Sequence, residues 1–399
     1  MIEMIKRPAR RVRDALVAKR DRWRLASLYS GANGNLDRAA HLREAVGWLV
    51  RAQDTGVDRG ISYGARFGDG FLPSYPETTG YVIPTFLRLA DALGDADFVR
   101  RAVEAADWEI QVQMPCGAVM AGRVTEVPRP AVFNTGQVLL GWSAVFERTQ
   151  EPRFRHAALR AADWLLEVQE PGGEWVKGNS PLANAQSTVY NVKAAWGLCR
   201  AGLVLGRDEY VEAAIKNAEC ALYQQTENGW FRQCCLTDSE RPLLHTIAYT
   251  LQGLIGIGLL TKRTDFNGAA VKTANALLAL MDQRGFIPGR IRADFTGAVD
   301  WCCLTGSAQT SIVWARLHDI TGDPSYREAC VSVNRYLIEG HDVTSVDPSI
   351  RGGVAGSWPV WGEYGQYMVL NWATKFFVDA LLLAARTDGE GALTDATLG

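Results

Sequence analysis

The chain alternates between amphipathic helices and helices that are apolar on most of their circumference. Residues 157–212 contain one such pair. In the first half, Leu159, Ala162 and Leu165 lie three positions apart, which predicts a helix with one buried face. A glycine pair then ends this helix, and a polar loop leads to a second helix over residues 189–205. A helix that is apolar all round is buried on all sides, so we expect the second helix to lie inside a ring of the first kind.

This unit of an outer helix, a glycine-containing loop and an inner helix repeats along the chain. Inner helices are predicted to begin near Thr79, Thr135, Val189, Leu244, Leu304 and Leu370. Outer helices are predicted over residues 36–53, 97–113, 152–169, 208–225, 265–282 and 324–339. The equivalent positions are evenly spaced at first and slightly further apart in the last two units: Thr79, Thr135, Asn191, Thr246, Thr305 and Asn371.

Such a regular period is typical of repeat architectures, in which neighbouring units bury each other's faces. The pattern predicts an all-α (α/α)6 toroid of six inner and six outer helices with an extra N-terminal helix. An open solenoid is the alternative, but it would leave the apolar inner helices uncovered on one side. We predict three segments: a basic N-terminal helix and connector at 1–35, the toroid at 36–386 and a flexible tail at 387–399.

Charge and cysteine content narrow the class of protein. The net charge of −2 gives no reason to expect a nucleic-acid partner. The segment 1–24 carries nine Lys or Arg and three Asp or Glu. This basic segment predicts either a peripheral contact with a membrane or complex, or a capping helix with a solvated basic face. No secretory signal and no uninterrupted membrane-length apolar run is visible. The eight cysteines lack disulfide-scaffold spacing, so we expect a cytoplasmic protein without a metal or cofactor.

Long loops point to the position of the site. The connections 55–78, 117–134 and 340–369 precede inner helices, and long connections in a compact domain are usually functional. We therefore predict the site where these loops enter the inner helices. The candidate catalytic residues are Asp300, Glu363, His245 and Tyr190. The candidate substrate-binding residues are Glu77, Tyr81, Asn134, Gln137, Asn191, Lys193, Tyr249, Trp301, Gln309, Trp361, Tyr364, Asn371, Trp372 and Lys375.

The chemistry of this set favours a sugar. Amide and phenol groups pair with hydroxyls, and aromatic faces cover the C–H faces of sugar rings. Lys193 and Lys375 lie in otherwise apolar helices, which indicates a carboxylate or phosphate on the ligand. The alternative for Tyr81, Gln137 and Gln309 is that they satisfy backbone N–H groups in the first helical turn.

Two stretches carry a family resemblance. RGGVAGSWPVWGEYGQYMVLNWATKFF (351–377) and DWCCLTGSAQTSIVWARLHDITGD (300–323) resemble a family of bacterial proteins associated with polysaccharide biosynthesis. The wider helical-hairpin pattern resembles six-hairpin glycosidases, polysaccharide lyases and uronyl epimerases. The resemblance implies a toroid that acts on a polysaccharide or glycoconjugate, but it brings no catalytic residues, since fold alone does not determine chemistry.

Two mechanisms fit a sugar substrate. A glycoside hydrolase needs two carboxyl groups across the scissile bond, and we predict Asp300 and Glu363 in these roles, with Glu77 as a third candidate. A uronate lyase or C5-epimerase is the alternative. Its cation would be Lys193 or Lys375, and His245 with Tyr190 or Tyr249 would move protons.

Three further alternatives lie outside sugar catalysis. VQEPGGEW and QQTENGW resemble the repeats of squalene cyclases and protein prenyltransferases. A zinc site like that of toroidal lanthionine cyclases would use Cys302, His245 and either Cys234 or Cys235. A non-catalytic glycan-binding module is the third alternative.

Overall fold

A computed structural model describes Arg22 and residues 24–387 of the 399-residue chain. Most of the predicted N-terminal basic helix and almost all of the predicted C-terminal tail therefore lie outside the described residues. The division of the chain into three segments stays a prediction.

Twelve α-helices are present among the described residues, alternating between outer and inner positions. In chain order they are α1 (Arg38–Asp54), α2 (Pro76–Leu93), α3 (Asp97–Val112), α4 (Val132–Thr149), α5 (Pro152–Glu167), α6 (Val192–Leu205), α7 (Asp208–Tyr223), α8 (Leu244–Thr261), α9 (Thr264–Leu280), α10 (Leu304–Thr321), α11 (Pro324–Glu339) and α12 (Asn371–Thr387). A short 3₁₀ turn, Val189–Asn191, precedes α6. The even-numbered helices are the predicted inner helices, and the odd-numbered helices are the predicted outer ones.

The inner helices form a closed ring. Each packs against the next, from α2 through α4, α6, α8 and α10 to α12, and α12 also contacts α1 and α2. This closure confirms the (α/α)6 toroid and excludes the open solenoid. Every residue of α8 from Leu244 to Gly258 is buried, as expected for a helix that is apolar all round.

Short turns join each inner helix to the following outer helix. The five inner helices that lead into an outer helix end at a residue in the left-handed conformation: Gly94, Gln150, Gly206, Lys262 and Gly322. This conformation ends a helix within one residue, so the outer helix starts immediately and runs back along the barrel. The end of the barrel that holds the C-termini of the inner helices therefore has no long loops.

The loops at the other end are held by a repeated contact. At the end of α5, the Gln169 side-chain amide donates to the carbonyl oxygens of Gly173, at 2.9 Å, and of Ala213 on α7, also at 2.9 Å. Gly173 has φ +103°, and a Cβ there would lie 2.8 Å from the Lys216 carbonyl carbon. Only glycine fits so close to the next outer helix. Gln113 and Gln225 make the equivalent contacts one unit before and one unit after.

Small sheets tie distant loops together at this end. The strands are β1 (Gly64–Arg66), β2 (Gly70–Phe71), β3 (Cys302–Cys303), β4 (Ser357–Trp358) and β5 (Met368–Leu370). β1 pairs antiparallel with β2 and with β5, and β3 pairs antiparallel with β4. The long loops before α2 and α12 are thereby joined to each other and to the loop before α10.

One described helix, α8, is long and apolar enough to cross a membrane by length and composition alone, although polar residues interrupt its apolar run. Within the toroid, 83% of this helix is buried between its neighbours. The same composition is typical of the core helix of a large barrel.

Candidate functional site

An aromatic cluster surrounds one carboxyl group where the loops enter the inner helices. We call this end of the barrel the mouth. Tyr63 precedes β1, Tyr75 and Glu77 stand at the start of α2, and Trp372 lies in the first turn of α12. The Tyr63 ring lies 4.8 Å from the Trp372 ring and 5.2 Å from the Tyr75 ring, measured between centroids. Tyr63, Tyr75 and Glu77 are only partly buried, so the cluster is accessible from solvent.

Glu77 is positioned to carry a proton at neutral pH. Burial raises the pKa of its carboxyl group from 4.5 to about 7, and a hydrogen bond from the Tyr75 hydroxyl, 2.5 Å from Oε2, partly opposes this shift. Within the described chain, no group hydrogen-bonds to the other oxygen, Oε1. A carboxyl group in this setting can donate a proton from Oε1 to a bound ligand.

A chain of hydrogen bonds runs across the mouth from Trp372 to His245. The Trp372 indole N–H donates to the Tyr364 hydroxyl at 2.7 Å, and that hydroxyl lies 3.4 Å from Nε2 of His245. Burial lowers the pKa of His245 to about 3, so the imidazole is neutral and its Nε2 is assigned as the acceptor of the Tyr364 proton. Tyr364 belongs to the loop 340–369, which thus packs over part of the mouth.

A second pair of tyrosines closes the barrel below this cluster. The Tyr81 and Tyr249 hydroxyls lie 3.3 Å apart, although they come from α2 and α8 on opposite sides of the ring. The Phe376 ring packs against both, with centroids 5.5 Å from Tyr81 and 6.0 Å from Tyr249. We call these three side chains the floor of the mouth. They separate the mouth from the other half of the barrel.

Several predicted binding residues hold the surrounding backbone. The side-chain amides of Asn134, Asn191 and Asn371 donate to the Met120 carbonyl, to Asn179 Oδ1 and to the Ser62 carbonyl. These three asparagines are buried and position the loops around the mouth. Their structural bonds do not exclude contact with a ligand through the amide oxygens.

Other buried side chains carry polar atoms that lack partners. Among the described residues, the amide group of Gln137 has no hydrogen-bond partner, and neither do those of Gln252 and Asn334 at Oε1 and Nδ2. Gln309 lies close enough to His245 to influence its imidazole, and Tyr190 lies near Thr188 and Ser180. Gln137 and Gln309 therefore do not satisfy the backbone N–H groups of their helices, which was the alternative role. Buried polar atoms without partners are uncommon, and a group of them inside one barrel indicates a place for a polar ligand or water.

The predicted hydrolase pair lies outside the cluster. Asp300 is exposed, and Glu363 is 58% exposed and pairs with Arg290 at 3.1 Å. Neither carboxyl group is in the partly desolvated setting that a general acid needs. Trp301 is buried beside Leu243 and Cys303, and Trp361 is 56% exposed on the same loop as Glu363. The structure therefore favours Glu77 over this pair.

The two predicted lysines also differ from their expected position at the mouth. Lys193 lines a cavity in the opposite half of the barrel, together with Trp196. Lys375 pairs with Asp379 at 2.8 Å on the side of the floor that faces this cavity, where Arg88 also binds Asp379. Neither lysine is placed to hold a sugar carboxylate at the mouth.

Two aromatic residues and one basic residue of the mouth were not predicted. Tyr63 and Tyr75 come from the loop before α2, and Arg123 lies in the loop before α4 with its guanidinium carbon 5.7 Å from the Tyr63 ring centroid. The Tyr-Pro-Glu sequence that ends in Glu77 could have indicated Tyr75. A tyrosine two positions before a carboxyl group can donate a hydrogen bond to it, as Tyr75 does to Glu77.

The structure bears on the zinc and isoprenoid alternatives. Among the described residues, no group of three or more His, Cys, Asp or Glu could hold a metal ion. Burial raises the pKa of Cys234 and Cys302 to about 12, whereas zinc binds the thiolate. The Gln and Gly of the cyclase-like repeats make the packing contacts between outer helices described above for Gln169 and Gly173.

These observations define the fold class as a six-hairpin α/α toroid with an acidic, aromatic mouth. No family model matches the chain, and no curated protein sequence matches it. Solved structures share the fold. An unsaturated glucuronyl hydrolase specific for heparin aligns with a TM-score of 0.72 and 14% identity over 89% of this chain and 99% of that chain.

Two other solved structures extend the comparison. Cellobiose 2-epimerase from Bacillus thermoamylovorans B4167 aligns with a TM-score of 0.71 and 9% identity, over 87% of this chain and 98% of that chain. An unsaturated glucuronyl hydrolase variant from Streptococcus agalactiae, complexed with dGlcA-GalNAc6S, aligns with a TM-score of 0.66 and 14% identity over 88% and 93%. At these identities the likeness confirms the six-hairpin fold expected from the sequence, and the chemistry must be argued from this chain's own residues.

Proposed function

We propose that this protein is a carbohydrate-processing enzyme whose reaction takes place at the mouth. The observation that carries the proposal is the Glu77 carboxyl group, whose pKa of about 7 lets it hold a proton beside the aromatic rings of Tyr63, Tyr75 and Trp372. Aromatic faces pack on the C–H faces of sugars, and a carboxyl group of this pKa is a suitable proton donor. The sugar-processing enzymes that share the fold support this proposal.

In this proposal Glu77 is the general acid. Tyr75 holds Oε2, so the proton on Oε1 can reach an oxygen of the substrate. For a hydrolase, this proton goes to the glycosidic oxygen, and the bond from that oxygen to the anomeric carbon breaks. Water then adds its hydroxyl group to the anomeric carbon and gives its remaining proton to the Glu77 carboxylate, which restores the acid. Hydrolysis is the first candidate, as it was in the sequence analysis, but the proposed acid is Glu77 instead of Asp300 or Glu363.

The hydrogen-bond chain at the mouth supports an epimerase as the second candidate. The imidazole of His245 is neutral, with a pKa of about 3, and it becomes a proton acceptor when the carboxylate of a bound uronate raises that pKa. An epimerase needs such an acceptor on one face of a sugar carbon and a donor on the other. A sugar carboxylate would meet Arg123 beside Tyr63 here, rather than Lys193 or Lys375.

Product analysis with matched variants tests both candidates. The full-length protein is incubated with an unsaturated glucuronyl disaccharide, with cellobiose and with a neutral polysaccharide. Two smaller products indicate hydrolysis, and a product of unchanged mass with new NMR signals indicates epimerisation. We expect Glu77→Gln to lower kcat by about 10²–10⁴-fold. Glu328→Gln, an exposed change on α11, should leave turnover unchanged.

Four results would contradict all or part of the proposal. Full turnover by Glu77→Gln would remove Glu77 from the chemistry, and loss of turnover in Glu363→Gln alone would restore the pair predicted from the sequence. Absence of both turnover and binding across the whole sugar panel would leave no basis for a carbohydrate enzyme. Binding without turnover would favour the glycan-binding module.

A role in bacterial surface-polysaccharide metabolism, a cytoplasmic location and a peripheral contact through the basic N-terminus remain part of the proposal. They rest on the sequence resemblance and on the charge of the segment 1–24, most of which lies outside the described part of the chain.

A further inference from the structure

A cavity occupies the half of the barrel opposite the mouth. It has a volume of about 1010 Å³ and is lined by residues of all six inner helices, from Leu87 on α2 to Leu383 on α12. This volume is at the upper end of the range for small-molecule sites, about 300–1,000 Å³. The floor of the mouth lies between this cavity and the proposed sugar site, so the two sites are distinct.

The walls of this cavity are apolar. The cavity is lined by the face of Trp196 and by leucine and isoleucine side chains from α2, α4, α8, α10 and α12: Leu87, Leu140, Ile255, Leu259, Leu260, Ile312, Ile320 and Leu383. A sugar would place its hydroxyl groups against these walls without partners. An apolar chain would instead replace water there, which is favourable in proportion to the area covered.

The open end of the cavity is ringed by ion pairs. Arg148 binds Asp91 at 2.9 Å, and Arg200 binds Glu147. Arg316 binds Asp319 at 3.1 Å in the same way. Each base of this ring has an acidic partner from the ring itself, so the ring provides a polar entrance without a strong net charge.

The inner end of the cavity carries an excess of positive charge. Asp379 is shared by Arg88 and Lys375, each at 2.8 Å. Lys193 is 1% exposed and its Nζ lies 4.0 Å from the Trp196 ring centroid, but among the described residues it has no ion pair. The described lining holds five basic and four acidic side chains, and Lys193 is the basic side chain that forms no ion pair with any of the four acidic ones.

A buried ammonium group without a counter-ion is costly, so a ligand that places a negative charge beside Nζ should bind favourably. Burial, with the nearby charge of Lys375, lowers the pKa of Lys193 well below its usual value. An anion beside Nζ reverses this effect, because an opposite charge within a few ångströms favours the ammonium form.

We propose that this cavity binds an anionic amphiphile, with its carboxylate or phosphate group at Lys193 and its apolar chain along the leucine and isoleucine walls. Lys193 would bind the anionic group, and Trp196 with the apolar walls would contact the chain. The site is independent of the chemistry proposed at the mouth.

Calorimetric titration of the full-length protein tests the proposal. The ligands are dodecanoate and dodecyl phosphate, below their critical micelle concentrations. Dodecanol is the control for the apolar chain without a charge, and acetate and inorganic phosphate are the controls for the charged group without a chain. We expect one or both charged amphiphiles to bind, at least about tenfold more tightly than dodecanol, and the short anions not to bind detectably. The comparison between the first two ligands shows which head group is preferred.

Variants of Lys193 make the test specific. Lys193→Met keeps the volume of the side chain and removes the amine, so it should lower the affinity for charged amphiphiles about tenfold or more and leave dodecanol binding unchanged. Lys193→Gln serves the same purpose if the methionine variant does not fold. Lys216→Met, on the exposed face of α7, is the matched control. Equal binding of dodecanol and dodecanoate, unchanged affinity in both Lys193 variants, or no binding of either amphiphile would overturn the proposal.

Discussion

Replacing Glu77 with glutamine should lower catalytic activity and raise the free energy of unfolding, because the buried carboxyl group destabilises the fold when it is ionised. The pKa of Glu77 rises from 4.5 to about 7 on folding, chiefly because of burial. At about 1.4 kcal/mol per pKa unit, this corresponds to about 3 kcal/mol of destabilisation when the group is ionised. Glu77 keeps some solvent contact, so this figure is an upper bound.

The sign of the effect follows from proton binding. Between pH 4.5 and about 7, folded Glu77 holds a proton that the unfolded chain has lost, so the free energy of unfolding falls as pH rises through this range. A glutamine at this position cannot ionise and still accepts the Tyr75 hydrogen bond. We therefore expect Glu77→Gln to match the wild type near pH 4 and to exceed its stability by up to about 3 kcal/mol at pH 8.

Chemical unfolding between pH 4 and pH 8.5 measures this difference. Glu328→Gln on the exposed side of α11 is the control, and its difference from the wild type should stay near zero at every pH. A pH-independent difference for Glu77→Gln, or a wild type that becomes more stable than the variant as pH rises, would refute the argument. The same variant should lose turnover, so a gain in stability would accompany the loss of activity.

Two further predictions concern the fold. Gly173→Ala should lower the free energy of unfolding by about 2–4 kcal/mol, because a Cβ would lie 2.8 Å from Lys216 at a φ of +103°. Gly206→Ala, where a Cβ meets nothing within 4 Å, should cost only about 1 kcal/mol, and equal costs in thermal melts would contradict the packing account. Asp379→Asn removes the carboxylate shared by Arg88 and Lys375 and should cost about 3–5 kcal/mol. A loss below about 1 kcal/mol in chemical unfolding would show that the shared carboxylate contributes little.

The toroid could be predicted because its determinants are local and repeated. The outer helix predicted at residues 324–339 is observed as Pro324–Glu339, because Asp323 caps its first turn and Gly340 follows its last residue. The glycine at position 173 recurs as Gly117 in the preceding unit and as Gly229 in the following one. Each unit needs the same close approach to the next outer helix, so the same residue returns at the same place.

The site could be predicted only in part. The sequence analysis placed Glu77, His245, Tyr364 and Trp372 where loops enter the inner helices, and the structure has them at that end of the barrel. Their role as a site stays a prediction. Tyr63 could not be added, because its position depends on the pairing of β1 with β5, which lies near the other end of the chain. Such long-range register has no local sequence signal. For the same reason the exposure of Glu363 on its long loop could not be known.

The direction of one side chain accounts for the largest error in the predicted site. Helical side chains usually lean toward the N-terminus of their helix, which would carry Lys193 from the start of α6 toward the mouth. The Lys193 side chain instead lines the cavity in the opposite half of the barrel, with its Nζ over the Trp196 ring. The floor formed by Tyr81, Tyr249 and Phe376 fills the barrel axis above it, and the cavity leaves room below. Tyr81 and Lys193 occupy equivalent positions, two residues after Thr79 and Asn191, yet Tyr81 belongs to the floor and Lys193 lines the cavity. Packing across the barrel axis, rather than periodicity, therefore assigns each inner-helix side chain to one of the two sites.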